Sequence, residues 1–127
     1  MNFDGFPLFV DVSSYPTLND LMIVSDALIS DYSSVFFDYS ILHRPMYCFA
    51  YDYDEYLDER GTYLQLKEEF QHSFCESEED LLRELMRYNM DKDQLVQEAI
   101  RFQEKYVTEF GSASEKCCDE LAMVLDI

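Results

Sequence analysis

Short apolar runs alternate with polar breaks through the first half of the chain, and a helical apolar rhythm takes over in the second. "PLFVDVSS" (Pro7 to Ser14) is an apolar run ending in polar residues, which predicts a strand and its exit loop. "TLNDLMIVSD" (Thr17 to Asp26) sets Leu18, Leu21, Met22 and Ser25 at helical spacing. Thr17 and Asp20 form a capping-box pattern there, with Asp in the usual place of Glu. "ALIS" is short and mostly apolar, as expected of a strand covered on both faces of a parallel sheet. "SSVFFDYSIL" reads as a helix with Val35, Phe36, Tyr39 and Leu42 on its inner side, stopped before Pro45. "MYCFAY" (Met46 to Tyr51) is the third strand. Strand, helix, strand, helix, strand in that order predicts right-handed βαβ units and a parallel sheet.

Beyond Tyr51 the pattern changes. "YDYDEYLDERGTYLQL" is a charged, tyrosine-rich connection with Gly61 as its turn residue. "SEEDLLRELMRYN" opens on Ser77 as N-cap and places Leu81, Leu82, Leu85 and Met86 on one face. "KDQLVQEAIRFQEKYVTEF" repeats the theme with Leu95, Ala99, Phe102 and Tyr106, and Gly111 ends it. Ser112 and Glu115 then form a capping box for a last helix carrying Leu121 and Val124. The expected organisation is one structural domain, with an α/β part over residues 1–63 and a helical tail over 64–127 packing on it. No internal repeat and no true linker occur.

Composition supports a packed globule: 48% of the 127 residues are hydrophobic and 16% aromatic. The charge is lopsided, 9 Lys and Arg against 27 Asp and Glu, a net of -18. Such a chain repels nucleic acid and anionic lipid, so no nucleic-acid partner is expected. The surplus acids lack the spacing of a calcium loop and read as solvated faces. The four cysteines make no C-x-x-C pair and, with two histidines, no zinc pattern. No metal or cofactor is expected. Nothing resembles a signal peptide or a membrane span, which makes the cytoplasm the expected location.

"ALISDYSSVFFDY" poses the chemical question. In a parallel sheet, ligands bind beyond the carboxyl ends of the strands, where the loop after "ALIS" lies. A helix start offers free amides and partial positive charge suited to phosphate, and the hydroxyls of Ser33 and Ser34 add donors without bulk. The plainer role for Ser33 is to cap its helix. Arg44 and Arg60 are the only arginines in a strongly acidic first half that holds no lysine. Each either pairs with a carboxylate or makes a charge-assisted contact to a phosphate oxygen. Asp38, one turn beyond Ser34, is placed to accept hydrogen bonds from ribose hydroxyls. Together these residues point to a nucleoside-diphosphate site. Tyr15, after the first run, is a candidate to stack on the base, although packing is the commoner role.

Those same residues carry a family resemblance. Ser30 to Ser34, Val35 to Tyr39, Arg44-Pro45, Tyr51-Asp52 and Arg60-Gly61 resemble the signature of the CDP-glycerol glycerophosphotransferases, which build the glycerol-phosphate chains of teichoic acids. "DVSSYPTLNDL" looks like the family's approach to the motif, and "GSASEK" resembles its closing segment. The resemblance implies a partial Rossmann-like parallel sheet of about three strands, the C-terminal half of a GT-B fold, with flanking helices and a helical tail. It implies that the part over 1–63 binds the donor nucleotide, CDP-glycerol or a related CDP-polyol, held by Ser33, Ser34, Arg44 and Arg60 at the diphosphate and by Asp38 at the ribose. The implied reaction is attack of a chain-terminal hydroxyl on the β-phosphate, releasing CMP. The implied location is the inner face of the bacterial membrane, peripherally.

Family members also carry His-Gly and Arg-x-His motifs upstream of this part, and a histidine is the expected general base. Neither motif occurs here, and His43 and His72 fall outside the family pattern. The expectation is therefore a donor-binding portion that is incomplete alone, has no catalytic residue of its own, and meets the acceptor through an absent half. An exposed sheet edge is expected as well, open to self-association. The competing expectation is an interaction module that keeps the fold without the chemistry. A receiver-like signalling domain needs a lysine at a strand end, and none lies between Phe9 and Tyr63.

Overall fold

Three short parallel strands organise the chain. The computed structural model describes residues 8–61, 64–109 and 111–125. Strand β1 (Leu28–Ser30) pairs with β2 (Met46–Phe49), and β2 with β3 (Phe74–Cys75), giving the order β1-β2-β3. Leu28 lies opposite Met46 and Ser30 opposite Cys48, so β2 runs one residue beyond the end of β1. On the far side, the Cys48 amide donates to the Ser73 carbonyl (2.9 Å) and the Ala50 amide to that of Cys75 (2.8 Å). The molecule is an α/β protein with helices packed on its parallel sheet.

Helix α1 (Leu18–Val24) leads into β1 and α2 (Val35–Ser40) leads from β1 to β2. After β2 come α3 (Tyr53–Glu59) and the single turn α4 (Leu66–Glu69). Past β3 stand α5 (Glu78–Met86), α6 (Tyr88–Tyr106) and α7 (Ala113–Leu125). The core lies between the sheet, α2 and α6. Phe36 and Tyr39 from α2, Met46 and Cys48 from β2, and Ala99 and Phe102 from α6 are all buried. Phe102 is its aromatic hub, with ring centroids 5.3 Å from Phe37, 5.5 Å from Phe70 and 4.9 Å from Tyr106. The helical rhythm of Leu95, Ala99 and Phe102 thus marks the buried face of α6. Ser77 caps α5 as its position predicts, its hydroxyl accepting from the Asp80 amide at 3.1 Å. Gly61 (φ 69) closes α3, its amide bonding to the carbonyls of Tyr56 and Leu57.

Four expectations need correction. Residues 8–14 form no strand; Leu8 and Val10 are 95% and 78% exposed, so no sheet face covers the run. Pro7 lies outside the described residues. The third strand is instead β3, which lies in the expected helical tail between the charged connection and the helix that starts after Ser77. Two residues are too few to show an alternation, and hydrogen bonding to β2 makes them a strand. Thr17 makes no side-chain cap, and the Tyr15 hydroxyl donates to Asp20 at 3.3 Å. Finally, α7 buries no residue, and Leu121 and Val124 are exposed. Among the described residues no helix is long and apolar enough to cross a membrane.

Candidate functional site

Because β1 and β2 are parallel neighbours, the loops leaving them start from the same end of the sheet. The first, Asp31 to Ser34, leads into α2; the second, Ala50 to Asp52, leads into α3. Beside the first loop, walled by the start of α2, by Tyr56 of α3 and by Gly61, Leu64 and Leu66 beyond it, lies a cavity of about 370 Å³ whose remaining lining residues are Tyr32, Ser33, Ser34, Phe36 and Phe37. It opens at the carboxyl end of the sheet, where parallel α/β proteins bind ligands.

The two serines are both exposed and differ in what they do. Ser33 turns its hydroxyl onto the Val35 amide (3.2 Å), the local capping role that its position allows. Ser34 occupies the N-cap position of α2 but makes no side-chain cap. Helix α2 is only 6 residues long, shorter than the apolar pattern suggests, so its macrodipole is modest. The Phe36 and Phe37 amides bond back to the Ser33 and Ser34 carbonyls.

The remaining sequence-predicted residues do not converge on this cavity. Arg60 is the exposed C-cap residue of α3, next to the wall residue Gly61. Arg44 donates through Nη1 to the carbonyls of Ile23 (2.7 Å) and Ser25, holding the C-terminal end of α1. A cation there also suits the negative end of the helix. Asp38 is exposed and lines a separate depression with Asn19, Met22, Ile23, Ile41 and Leu42. Tyr15 borders a third, beside Val10, Val12 and Leu18.

Sequence reasoning missed the aromatic wall. Tyr32 stacks on Tyr56 at 3.8 Å and donates its hydroxyl to Asp52 at 2.6 Å. Burial, then the Asp52 carboxylate, holds the Tyr32 hydroxyl well above the usual tyrosine range, so it remains a donor. Tyr32 lies inside the serine motif and Asp52 in the Tyr-Asp pair, but nothing in the local pattern joins the two. Below the loop, burial pushes the Cys48 thiol up to about 12, with Cys75 and Asp31 adding to it, and its Sγ donates to the Asp31 carbonyl at 3.4 Å. A thiol so disposed is structural rather than nucleophilic.

Neither histidine reaches this cavity. His43 contacts Gln103 at 3.2 Å. His72 donates its backbone amide to buried Glu98 (3.2 Å) and sets Nδ1 3.1 Å from the same carboxylate, which also accepts from Ser73 at 2.9 Å. Among the described residues, no group of three or more His, Cys, Asp or Glu is arranged to hold a metal ion.

A parallel sheet with a cavity walled by a serine pair and stacked tyrosines defines an α/β protein whose cavity lies where such folds bind ligands. Comparison with known proteins narrows that class. The profile described as CDP-Glycerol:Poly(glycerophosphate) glycerophosphotransferase matches residues 6–122, and the chain belongs to that family. It is 37% identical over 113 residues to a teichoic acid glycerol-phosphate transferase of Staphylococcus aureus, covering 87% of this chain and 29% of that protein. To a teichoic acid poly(glycerol phosphate) polymerase of Staphylococcus epidermidis it is 42% identical over 97 residues, 74% of this chain and 13% of that protein.

Among solved structures it resembles the wall teichoic acid polymerase TagF, with a TM-score of 0.78 at 32% identity, over 99% of this chain and 32% of that one. A TagF variant soaked with CDPG matches equally well, again at 0.78 and 32% identity, over the same 99% and 32%. The chain thus spans less than a third of the length of these relatives.

Proposed function

We propose that this chain is the donor-binding portion of a glycerophosphotransferase acting in teichoic acid synthesis, with CDP-glycerol or a related CDP-polyol held at the cavity beside Ser33 and Ser34. The observation that carries the reading is the place of that cavity: the serine pair lines it at the carboxyl ends of two parallel strands. Family membership and the likeness to a TagF variant soaked with CDPG support it. In this reading the serine hydroxyls donate to the diphosphate, and Arg60, next in sequence to the wall residue Gly61, supplies a positive charge. Asp38, Arg44 and Tyr15 stand apart from the cavity, and each enters the proposal as a separate position for substitution.

The reading brings further consequences. The fold corresponds to the C-terminal half of a GT-B arrangement, divided into a donor part over 1–63 and a helical tail over 64–127 whose α6 packs on the sheet. The acceptor and the general base belong to the remaining length of the relatives, and the location is cytoplasmic, at the inner face of the membrane. Calorimetric titration with CDP-glycerol tests the proposal: saturable binding that Ser34→Leu abolishes, by filling the cavity, supports it. Absence of heat at millimolar ligand in a folded sample refutes it.

A second reading, an interaction module without chemistry, draws on the exposed apolar residues Leu8, Val10, Leu121 and Val124. It predicts a stable self-associated species by sedimentation together with no nucleotide affinity.

A further inference from the structure

We infer that Tyr32 is a positioning residue: by tying the β1–α2 loop to α3, it sets the serine pair at a fixed separation from the opposite wall of the cavity. The inference rests on the donor-site reading above. Tyr32 lies directly before Ser33, and three contacts fasten it to the neighbouring element. Its ring stacks on Tyr56 at 3.8 Å with planes 19° apart, and beyond that on Tyr53 at 6.3 Å. Its hydroxyl donates to the Asp52 carboxylate at 2.6 Å.

Asp52 is the informative partner. It occupies the N-cap position of α3, where an aspartate ordinarily accepts from its own helix, yet it makes no such cap. Its carboxylate instead bonds across to the other loop. Helix α3 therefore begins at a group held by Tyr32 and ends beside Gly61, which lines the cavity opposite Ser33 and Ser34. Rotating or freeing Tyr32 alters the separation of those walls. The bond lies in a partly exposed place, where a charge-assisted hydrogen bond adds little to folding but still selects one loop geometry.

Tyr32→Phe keeps the stack and removes the hydroxyl; Asp52→Asn keeps an accepting oxygen and Asp52→Ala does not. Three quantities are compared with the parent chain: thermal midpoint, CDP-glycerol Kd, and hydrogen exchange of the Val35, Phe36 and Phe37 amides, which bond to the two serines. The expected result for Tyr32→Phe and Asp52→Ala is exchange faster by about tenfold at those amides and Kd weaker by a similar factor. Exchange in α6 stays unchanged, and Asp52→Asn restores most of the affinity.

Parent-like exchange and Kd in Tyr32→Phe overturn the inference. So does exchange that rises equally throughout the sheet and α6, because Tyr32 is then only a structural residue. If the parent chain itself binds no CDP-glycerol, the donor-site reading fails by itself, and the local exchange of Tyr32→Phe still decides the positioning role.

Discussion

Glu98 is 3% exposed and accepts hydrogen bonds from the His72 amide, from His72 Nδ1 and from the Ser73 hydroxyl. It thereby fastens α6 to the residues that enter β3. Glu98→Ala leaves the amide and the hydroxyl buried without an acceptor and opens a void. Breaking a buried charged network from one side costs about 3–5 kcal/mol. A domain of this size has only about 5–15 kcal/mol of stability, so much of it is lost. Glu98→Gln keeps an accepting oxygen and the side-chain volume, and is expected to cost about 1 kcal/mol or less at pH 7.

The pH dependence follows from the direction of the Glu98 shift. Burial raises its pKa above the ordinary value of 4.5, outweighing the bonds from Ser73 and His72 that lower it. The folded chain therefore holds a proton that the unfolded chain releases first. The stability this contributes is complete below the unfolded value and disappears as pH rises through the higher folded value. Urea unfolding at pH 4 and pH 7, followed by circular dichroism because the chain has no tryptophan, measures both effects. Relative to Glu98→Gln, the parent chain should lose stability as pH rises from 4 to 7, a range that opens below the ordinary value of 4.5. A parent chain that gains stability over that interval, or a Glu98→Ala variant within about 1 kcal/mol of it, refutes the reasoning.

Other substitutions probe separate parts of the fold. Ser77→Ala removes the α5 cap and should cost about 1 kcal/mol in urea unfolding, without altering CDP-glycerol affinity. Phe102→Ala, at the aromatic hub, should cost about 3–5 kcal/mol, and Phe102→Leu distinctly less. Arg44→Ala frees the carbonyls at the end of α1 and should cost about 1–3 kcal/mol. Its effect on CDP-glycerol Kd, measured in the same samples, separates anchoring of α1 from contact with the diphosphate.

What the sequence made legible was whatever local pattern and covalent chemistry decide. Continuous apolar runs marked β1 and β2, Ser77 marked a helix start, and Leu95, Ala99 and Phe102 marked a buried face. Long-range pairing was not legible. Phe74 and Cys75 are a strand because β2 offers them hydrogen bonds, and "LFVDV" is not one although its pattern is good. At the site, the Ser-Ser pair and the Gly61 turn were visible because they lie beside the ends of regular elements. The Tyr32–Asp52 bond joins residues 20 apart in sequence, and no local pattern announces it. Arg44 was read from its charge and from the Arg-Pro element of the family motif, whereas in the fold its guanidinium is occupied by two carbonyls at the end of α1.

The central claim is that the cavity beside Ser33 and Ser34 takes the CDP-polyol donor. Its most direct test is an NMR titration of the labelled chain with CDP-glycerol, following every backbone amide. The account predicts saturable shifts at Ser33, Ser34 and Gly61 that spread to Tyr32 and Tyr56 and spare α5 and α7. Shifts centred elsewhere, or none at millimolar ligand in a well-folded sample, would contradict it.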